Sequence, residues 1–403
     1  MALQPRLHLD IGWAQMLSIF APLIQSRAAL EARVEAAWPA NAVPALSVRT
    51  ALDAVLTSLA LPAGSAIAMS AVTIQNMADV VRAHGLEPVP VDLDIATLSP
   101  TASQIEHAIT ATGARAYIHA HLFGSRNDLA AVAAICRARG AVLIEDCAQG
   151  YTGAPPTDAP IADVSLYSFG PIKAQTCLSG AVALCRTPEL TAAIRAILSV
   201  HPPMPEQWLR TRALKYSALK VLSSPTAYGL AIAALRAQGL DPDKAIGGAA
   251  RGFSGPDLMS SLRRAPPRNL LRLLAKRSEH PAGDAWRTNA GSVLDAELGA
   301  TFERPGSAAQ THAYWLYPVL VQDPLAAMET MRAAGFDATR GATSLRAITD
   351  GTNFTAPNAS RLIEHVLYLP IAPSMDELTL KRMARALREG VRPLQATKEK
   401  VAA

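Results

Sequence analysis

Residues 115–148, RAYIHAHLFGSRNDLAAVAAICRARGAVLIEDCA, contain two short β-prone runs separated by a stretch with helical periodicity. The β-prone runs are RAYIHAHLF and AVLIEDCA, and the helical stretch is DLAAVAAICRARG. Strand, helix and strand at this spacing are typical of a parallel sheet covered by helices. The alternation extends outward through SAIAMSAV, EPVPVDLD and the helical QIEHAITAT. We therefore predict an α/β fold with a mostly parallel sheet and helices on both faces.

The chain is long enough for a large domain and a smaller one. We predict an N-terminal arm at residues 1–27, followed by a large domain at 28–250. A Pro-bounded, basic helical insertion is predicted over about residues 202–240, and several glycines mark the boundary that follows it. Residues 251–403 contain both helical and strand-like runs, so we predict a smaller α+β C-terminal domain.

Composition excludes several classes of protein. Of the 403 residues, 50% are hydrophobic and 18% are charged, which is typical of a globular chain. The net charge of +5 comes without dense Lys/Arg blocks, so a nucleic-acid partner is not expected. No stretch of 18 apolar residues lacks a charge, so we expect no membrane span. The four cysteines form no CxxC pair and are expected to be reduced thiols of a cytoplasmic protein.

The insertion contains WLRTRALKYSALKVL, in which basic residues alternate with apolar ones. Such a face could contact anionic lipid or an acidic substrate. We favour an ordinary surface or dimer helix.

Lysine is scarce in this chain, and Lys173 is the only lysine before Lys215. It lies between two apolar runs, SLYSF and SGAVALC, where a solubilising charge is least needed. A lysine in such a place can be a nucleophilic amine, since desolvation lowers its pKa. It could also be simply one of the few lysines of an Arg-rich chain.

Three further positions extend the argument from Lys173. Asp146 ends the apolar run AVLIED, where open α/β sheets bind ligands, although a carboxylate there can also be a helix cap. Ser168 offers a hydroxyl to a phosphate, and the helix that begins near Thr50 offers amides and its dipole. A carboxylate for a pyridine nitrogen, phosphate ligands and a lysine for an aldehyde together describe a pyridoxal phosphate site.

The chain resembles the DegT-type sugar aminotransferases, a family of fold-type I pyridoxal phosphate enzymes, over nearly its whole length. The segments that carry the resemblance are GLEPVPVDLD, HAHLFG, IEDCAQG, SLYSFGPIK and VLYLPIAPSM. It implies the fold-type I architecture, with a large domain and a smaller C-terminal domain.

The resemblance also implies roles for individual residues. Lys173 would be the Schiff-base lysine, and Asp146 the partner of the pyridine nitrogen. Gln149 would lie beside the cofactor ring, and Ser168 would bind the phosphate. The remaining positions that it points to are Arg49, Thr50, Ile74 and Ser254.

These remaining positions include the departures from the family's pattern. Val48 and Arg49 stand where the family has Gly-Thr in its phosphate-binding turn, which is followed by Thr50. Ile74 stands at the position of the aromatic residue that stacks on the pyridine ring, and Ser254 at that of an asparagine sent from the neighbouring subunit. Arg49 could bind the phosphate, or point toward an acidic substrate group, or lie on the surface.

The expected function is that of a homodimeric, pyridoxal phosphate-dependent aminotransferase with its active site at the subunit interface. By resemblance the amino donor is glutamate or glutamine, and the small-molecule acceptor is a ketone or aldehyde, with sugars among the candidates. Two alternatives stay open: another pyridoxal phosphate reaction, such as elimination or carbon–carbon cleavage, and a non-catalytic binding or regulatory protein. His119 and His121 share a strand face, but no third ligand at a suitable spacing supports a metal site, so none is predicted.

Overall fold

The computed structural model of the chain describes residues 2–6, 8–240, 242, 257–281, 283–299, 301–341, 344–348 and 354–395. The helices of these residues are α1 (Trp13–Ser18), α2 (Arg27–Ala36), α3 (Val48–Leu59), α4 (Gln75–Ala83), α5 (Ala102–Thr112), α6 (Ala130–Ala138), α7 (Pro188–Ser199), α8 (Glu206–Leu222), α9 (Pro225–Ala237), α10 (Leu258–Leu262), α11 (Arg268–Glu279), α12 (Ala285–Leu298), α13 (Pro324–Ala333), α14 (Pro357–His365) and α15 (Glu377–Gly390).

The strands are β1 (Ala42–Ala45), β2 (Ala66–Ser70), β3 (Val72–Ile74), β4 (Glu87–Val91), β5 (Ala116–Ala120), β6 (Ser125–Arg126), β7 (Val142–Asp146), β8 (Val164–Ser168), β9 (Ala181–Cys185), β10 (Thr311–His312), β11 (Tyr317–Leu320), β12 (Leu345–Ala347) and β13 (Val366–Leu369). Seven of them form one sheet in the order β1-β9-β8-β7-β5-β2-β4. Four neighbouring pairs are parallel: β4-β2, β2-β5, β5-β7 and β7-β8. The pairs β8-β9 and β9-β1 are antiparallel. The predicted mostly parallel sheet is confirmed.

Side chains of the central strands alternate between two apolar layers. Ile67 and Met69 of β2 pack with α3, α4 and α7, whereas Ala66 and Ala68 pack with α5 and α6. Successive side chains of a strand point to opposite faces of the sheet. Because helices bury both faces, the strands are almost wholly apolar. Helices on both faces are therefore confirmed as well.

Local sequence signals set both ends of α5. At the start of α5, the Thr101 hydroxyl accepts a hydrogen bond from the Gln104 amide at 3.3 Å, and the Gln104 side chain accepts one from the Thr101 amide at 2.8 Å. This reciprocal pair satisfies two amides that the helix leaves without partners. The helix ends at Gly113, whose φ of 66° suits glycine.

The predicted boundary between residues 250 and 251 lies outside the described residues, and the described helices that follow it join two different apolar clusters. Helix α11 packs on α2 and its leucines join the core of the large domain. Helix α12 packs instead on α15, in a separate apolar cluster with β11 and β13. The glycines on which that prediction rests lie outside the described residues, and the packing changes from one apolar cluster to the other between Glu279 and Ala285.

The predicted insertion at about 202–240 consists of helices α8 and α9. Leu209, Ala213 and Tyr216 bury one side of α8 against the large domain. Among the described residues, no single helix has the length and apolar composition to cross a membrane, and only α8 and α9 together meet that test, as a pair bent by 99°.

The N-terminal arm is anchored by several buried residues. Leu9, Ile11, Met16 and Ile19 are buried in the core cluster that also contains α2 and α11. Upstream, the Arg6 guanidinium forms an ion pair with the Asp337 carboxylate, with Nε 2.6 Å from Oδ2. The arm therefore connects the two cores.

Candidate active site

The carboxyl ends of β7 and β8 bring the predicted residues together at one edge of the sheet. Asp146 is the last residue of β7, and Ser168 is the last residue of the parallel neighbour β8. The loop from β8 to β9 carries Lys173, whose amide donates a hydrogen bond to the Gly170 carbonyl at 3.1 Å. Ligands of open α/β sheets bind at this edge.

Lys173 has an unusual environment for an amine. Its Nζ lies 3.9 Å from the centroid of the Trp315 ring, and no described residue forms an ion pair with it. Burial lowers the pKa of Lys173 from 10.5 to about 7, the Asp146 carboxylate opposes that change, and the Arg49 guanidinium adds to it. A substantial fraction of the amine is therefore uncharged and nucleophilic near neutral pH.

Asp146 is almost completely buried. Its Oδ1 accepts a hydrogen bond from the Ala148 amide at 2.9 Å. Burial raises the pKa of Asp146, while the Ala148 amide and then Lys173 act against that rise. Asp146 and Lys173 thus influence each other electrostatically without forming a direct ion pair, an arrangement that suits a ligand in contact with both.

Two distant residues hold the loop that carries Lys173. Gln175 and Leu178 have φ values of 56° and 66°, a conformation that costs energy for residues other than glycine. The Asp10 carboxylate accepts the Gln175 amide hydrogen at 3.0 Å, and Arg212 donates to the Leu178 carbonyl from Nε at 3.1 Å and from Nη2 at 2.8 Å. The N-terminal arm and α8 therefore stabilise the strained loop.

The predicted phosphate turn lies at the start of α3. The Ser47 hydroxyl accepts the Thr50 amide at 3.2 Å, and the Thr50 hydroxyl donates to the Leu262 carbonyl at 3.0 Å. These groups of Thr50 serve the helix start and its contact with α10. Arg49 is partly buried; burial lowers its pKa to about 10, Arg212 adds to this effect, and Asp146 opposes it. Arg49 therefore belongs to the same electrostatic site as Asp146 and Lys173.

The other predicted residues surround this edge of the sheet. The Ser168 hydroxyl accepts the Gly170 amide at 3.3 Å, and the Gln149 side-chain oxygen accepts the Phe123 amide at 3.1 Å. Ile74 ends β3 and joins an apolar cluster that includes Ile172 and Trp315. Ser254 lies outside the described residues.

A polar cluster lies on the strands next to Asp146. Glu145 accepts hydrogen bonds from His121 Nε2 at 2.8 Å, from Arg126 at 3.2 Å and from the Ser165 hydroxyl. Although burial alone would raise the pKa of Glu145, the bond and charge of His121, followed by Arg126, lower it overall. His121, Glu145 and Cys147 have ligand atoms within 4.8 Å of one another, yet both carboxylate oxygens already accept hydrogen bonds. Within this cluster, His121 Nδ1 is buried and has no hydrogen-bond partner among the described residues.

Sequence reasoning missed Trp315, Asp10 and Arg212. Trp315 lies just before β11 and Asp10 lies in the N-terminal arm, and neither belongs to a segment that carries the family resemblance. The basic pattern of α8 had drawn attention to Arg212, but as part of a surface. No local pattern reveals these contacts, because 143 residues separate Trp315 from Ile172 and 165 separate Asp10 from Gln175.

Comparisons with known proteins find a family model, a curated relative and solved structures that resemble this chain. Residues 29–216 match the model of the DegT/DnrJ/EryC1/StrS aminotransferase family. The pleiotropic regulatory protein of Geobacillus stearothermophilus is 30% identical over 163 residues, which cover 39% of this chain and 43% of that protein. The match therefore spans less than half the length of that curated relative.

Solved structures resemble the chain over nearly its whole length. The sugar aminotransferase CalS13 from Micromonospora echinospora has a TM-score of 0.67 at 19% identity, covering 96% of this chain and 100% of that one. NtdA from Bacillus subtilis, solved with bound cofactor PMP, has a TM-score of 0.68 at 17% identity, covering 96% of this chain and 85% of that one. At these identities the likeness shows the fold, which is that of the fold-type I aminotransferases. Residues 29–216 therefore resemble the DegT/DnrJ/EryC1/StrS aminotransferase family, and the chain as a whole shares the fold of these two solved structures.

Proposed function

We propose that this protein is a pyridoxal phosphate-dependent aminotransferase that moves an amino group from an amino acid donor to a keto or aldehyde acceptor. One observation carries the proposal: Lys173 and the buried Asp146 carboxylate lie together at the ligand-binding edge of an aminotransferase fold, where burial lowers the pKa of Lys173 and raises that of Asp146. Neither group is neutralised by a direct ion pair within the described residues, as a purely structural pair would be.

The residues fit this cofactor on chemical grounds. Asp146 is an acceptor for a protonated ring nitrogen, since a cation beside it would favour the carboxylate that burial disfavours. Arg49 and the Ser168 hydroxyl suit a phosphate, and Arg49 is placed by the first turn of α3. Lys173 suits an aldehyde. Gln149 is proposed to lie beside the ring, and Ile74 to pack on it.

When bound, pyridoxal phosphate supplies an aldehyde that takes up amines and a ring that accepts electrons. Lys173 Nζ takes the proton from the donor's α-carbon and later delivers one to the acceptor. A pKa near 7 suits both tasks, because the amine holds and releases a proton readily at neutral pH. Asp146 holds a proton on the ring nitrogen by remaining a carboxylate beside it.

The proposed donor is glutamate or glutamine, and the proposed acceptor is a small keto or aldehyde compound, a sugar among the candidates. The sugar aminotransferase CalS13 supports the last choice. We propose a homodimer with the active site at the subunit interface, and Ser254 as a contact from the neighbouring subunit, on the strength of the family resemblance. Thr50 is proposed to shape the phosphate turn through its contacts with Ser47 and Leu262.

The visible spectrum of purified protein, with and without glutamate, tests the proposal. We expect yellow protein whose absorption band is lost on borohydride reduction, with the reduced adduct on Lys173, and a spectral change on addition of an amino donor. Lys173→Ala should abolish the reduced adduct on the protein. Product analysis with keto and aldehyde acceptors then distinguishes transamination from elimination or carbon–carbon cleavage.

The name of the Geobacillus relative favours one rival, a regulatory protein without turnover. That rival predicts cofactor bound at Lys173 and no spectral change with any amino donor. Absence of any Lys173 adduct would contradict both the enzyme and this rival.

A further inference from the structure

Trp315 contacts the loop that carries Lys173 at two adjacent residues. Its ring face lies 3.9 Å from Lys173 Nζ, measured to the ring centroid. Its indole N–H donates a hydrogen bond to the Ile172 carbonyl at 2.8 Å. The two contacts use different parts of one side chain, so each can be removed separately.

Trp315 is itself held firmly. The Ala313 amide donates to the Gly124 carbonyl at 2.8 Å, and the Leu316 amide to the Phe123 carbonyl at 3.1 Å. Gly124 has a φ of 105°, and a Cβ atom there would lie 2.6 Å from the Trp315 nitrogen. Only glycine permits this approach, which fixes the Trp315 backbone against the turn after β5.

We propose that Trp315 is a positioning residue for Lys173: the ring orients the amine and favours its charged form, and the indole N–H fixes the loop beside it. This inference rests on the proposed function, in which Lys173 is the reactive amine. It goes beyond that function by assigning a role to a C-terminal residue outside the motifs that carried the family resemblance.

Three features act on the Lys173 amine in different directions. Asp146 on β7 favours the ammonium form, whereas burial and Arg49 on α3 favour the neutral amine. The face of an indole ring attracts a cation, and the attraction is strongest where water is excluded. Trp315 is 8% exposed, so its ring adds a second influence on the side of Asp146.

Ile74 stands at the position where the resembled family has an aromatic residue. Trp315 supplies an aromatic ring to the site from another segment. Both residues belong to the same apolar cluster, together with Ile172. The aromatic contact of this site therefore comes from the segment before β11, on the side of Lys173.

The test measures the protonation of Lys173 in cofactor-free protein. Trace acetic anhydride acetylates neutral amines, and mass spectrometry of the Lys173 peptide from about pH 5 to about pH 10 gives the midpoint for this one lysine. We expect a midpoint near pH 7 in the natural protein. In Trp315→Leu we expect it to fall by about one pH unit, because the ammonium form loses the ring.

Trp315→Phe separates the two contacts, since it keeps a ring face and loses the N–H donor. We expect its midpoint to lie closer to that of the natural protein than to that of Trp315→Leu. Trp13→Leu is the matched control, because that ring lies 6.0 Å from Lys220 rather than beside Lys173, and its midpoint should not change. A midpoint in Trp315→Leu that stays the same or rises would overturn the proposal.

If Trp315→Leu does not fold, protein grown with tetrafluorotryptophan provides the second measurement. Fluorination keeps the shape and the N–H donor but withdraws electron density from the ring face, so the midpoint should again fall. An unchanged midpoint would reject the role of the ring. Because the readout needs neither cofactor nor turnover, a failure of the proposed aminotransferase activity is detected separately, by the absence of a Lys173 adduct.

Discussion

Replacing Arg49 by glutamine removes the guanidinium at the start of α3 while keeping a side chain of similar length. A hydrogen bond to a charged group contributes about 1.5–3 kcal/mol, so the affinity for pyridoxal phosphate should fall about 10- to 150-fold. Arg49 also lowers the pKa of Lys173, so the substitution should raise that pKa above 7. Both effects have one cause, the loss of a positive charge inside a partly buried site.

Titration of cofactor-free protein with pyridoxal phosphate measures the first effect, and acetylation of Lys173 across pH measures the second. Arg49→Lys keeps the charge but not the two-pronged donor, so its affinity should be intermediate. Arg33→Gln is the matched control, since Arg33 pairs at the surface with Glu279 at 2.7 Å. Its effect on both readouts should be negligible.

Two outcomes would refute this reasoning in different ways. Unchanged cofactor affinity with a raised Michaelis constant for the acceptor would assign Arg49 to the substrate instead. No effect on cofactor affinity, on the acceptor or on the midpoint of Lys173 would place Arg49 outside the working site.

Three further predictions concern the lysine, the carboxylate and the arm. Asp146→Asn should slow the half-reaction with glutamate about 10²- to 10³-fold, measured by rapid-mixing spectroscopy, and this effect should exceed the loss of cofactor affinity. The same substitution should move the acetylation midpoint of Lys173 below pH 7. Unchanged half-reaction kinetics would exclude Asp146 as the partner of the ring nitrogen. Burial penalises only the ammonium form of Lys173, so its contribution to the stability of the natural protein should rise from pH 7 to pH 10.5. Lys173→Met should therefore increase the free energy of unfolding, measured with denaturant, by up to about 5 kcal/mol below pH 7 and little above pH 10.5. An equal gain at both ends of this pH range would contradict the prediction. Arg6→Met should lower the free energy of unfolding by about 3–5 kcal/mol, because it leaves the Asp337 carboxylate buried without its main partner. The double variant Arg6→Met/Asp337→Leu should recover part of that loss in the same assay. No recovery would argue against an electrostatic cause.

The fold was predictable because its signals are local. Strands such as β5 and β7 are short apolar runs, and the helix between them has its own periodicity, so each element can be recognised from neighbouring residues. The packing of α11 was not predictable to the same degree. The leucines of α11 suit either core, and only their packing against α2 assigns them to the large domain.

The candidate site was likewise predictable only in part from the sequence. Asp146 and Ser168 end parallel neighbours, and Lys173 follows in the next loop, so the order of strands and motifs is enough to place all three at one edge. Thr50 shows the limit of such reasoning. The amides of a helix start suggest a phosphate site, yet the Thr50 amide donates to the Ser47 hydroxyl, and the Thr50 hydroxyl donates to the Leu262 carbonyl, more than two hundred residues away.

The sequence alone therefore predicted the order of the elements and the mostly parallel sheet, and it pointed to Lys173 and Asp146 as the proposed reactive lysine and its carboxylate, because each signal depends on residues close together in the chain. Tertiary structure decided what surrounds them. Asp10 fixes the loop from the arm, and Trp315 faces the amine from the segment before β11. Contacts between residues so far apart leave no periodic trace in the sequence, and they arise only when the packed cores bring the arm, the sheet edge and the C-terminal domain together.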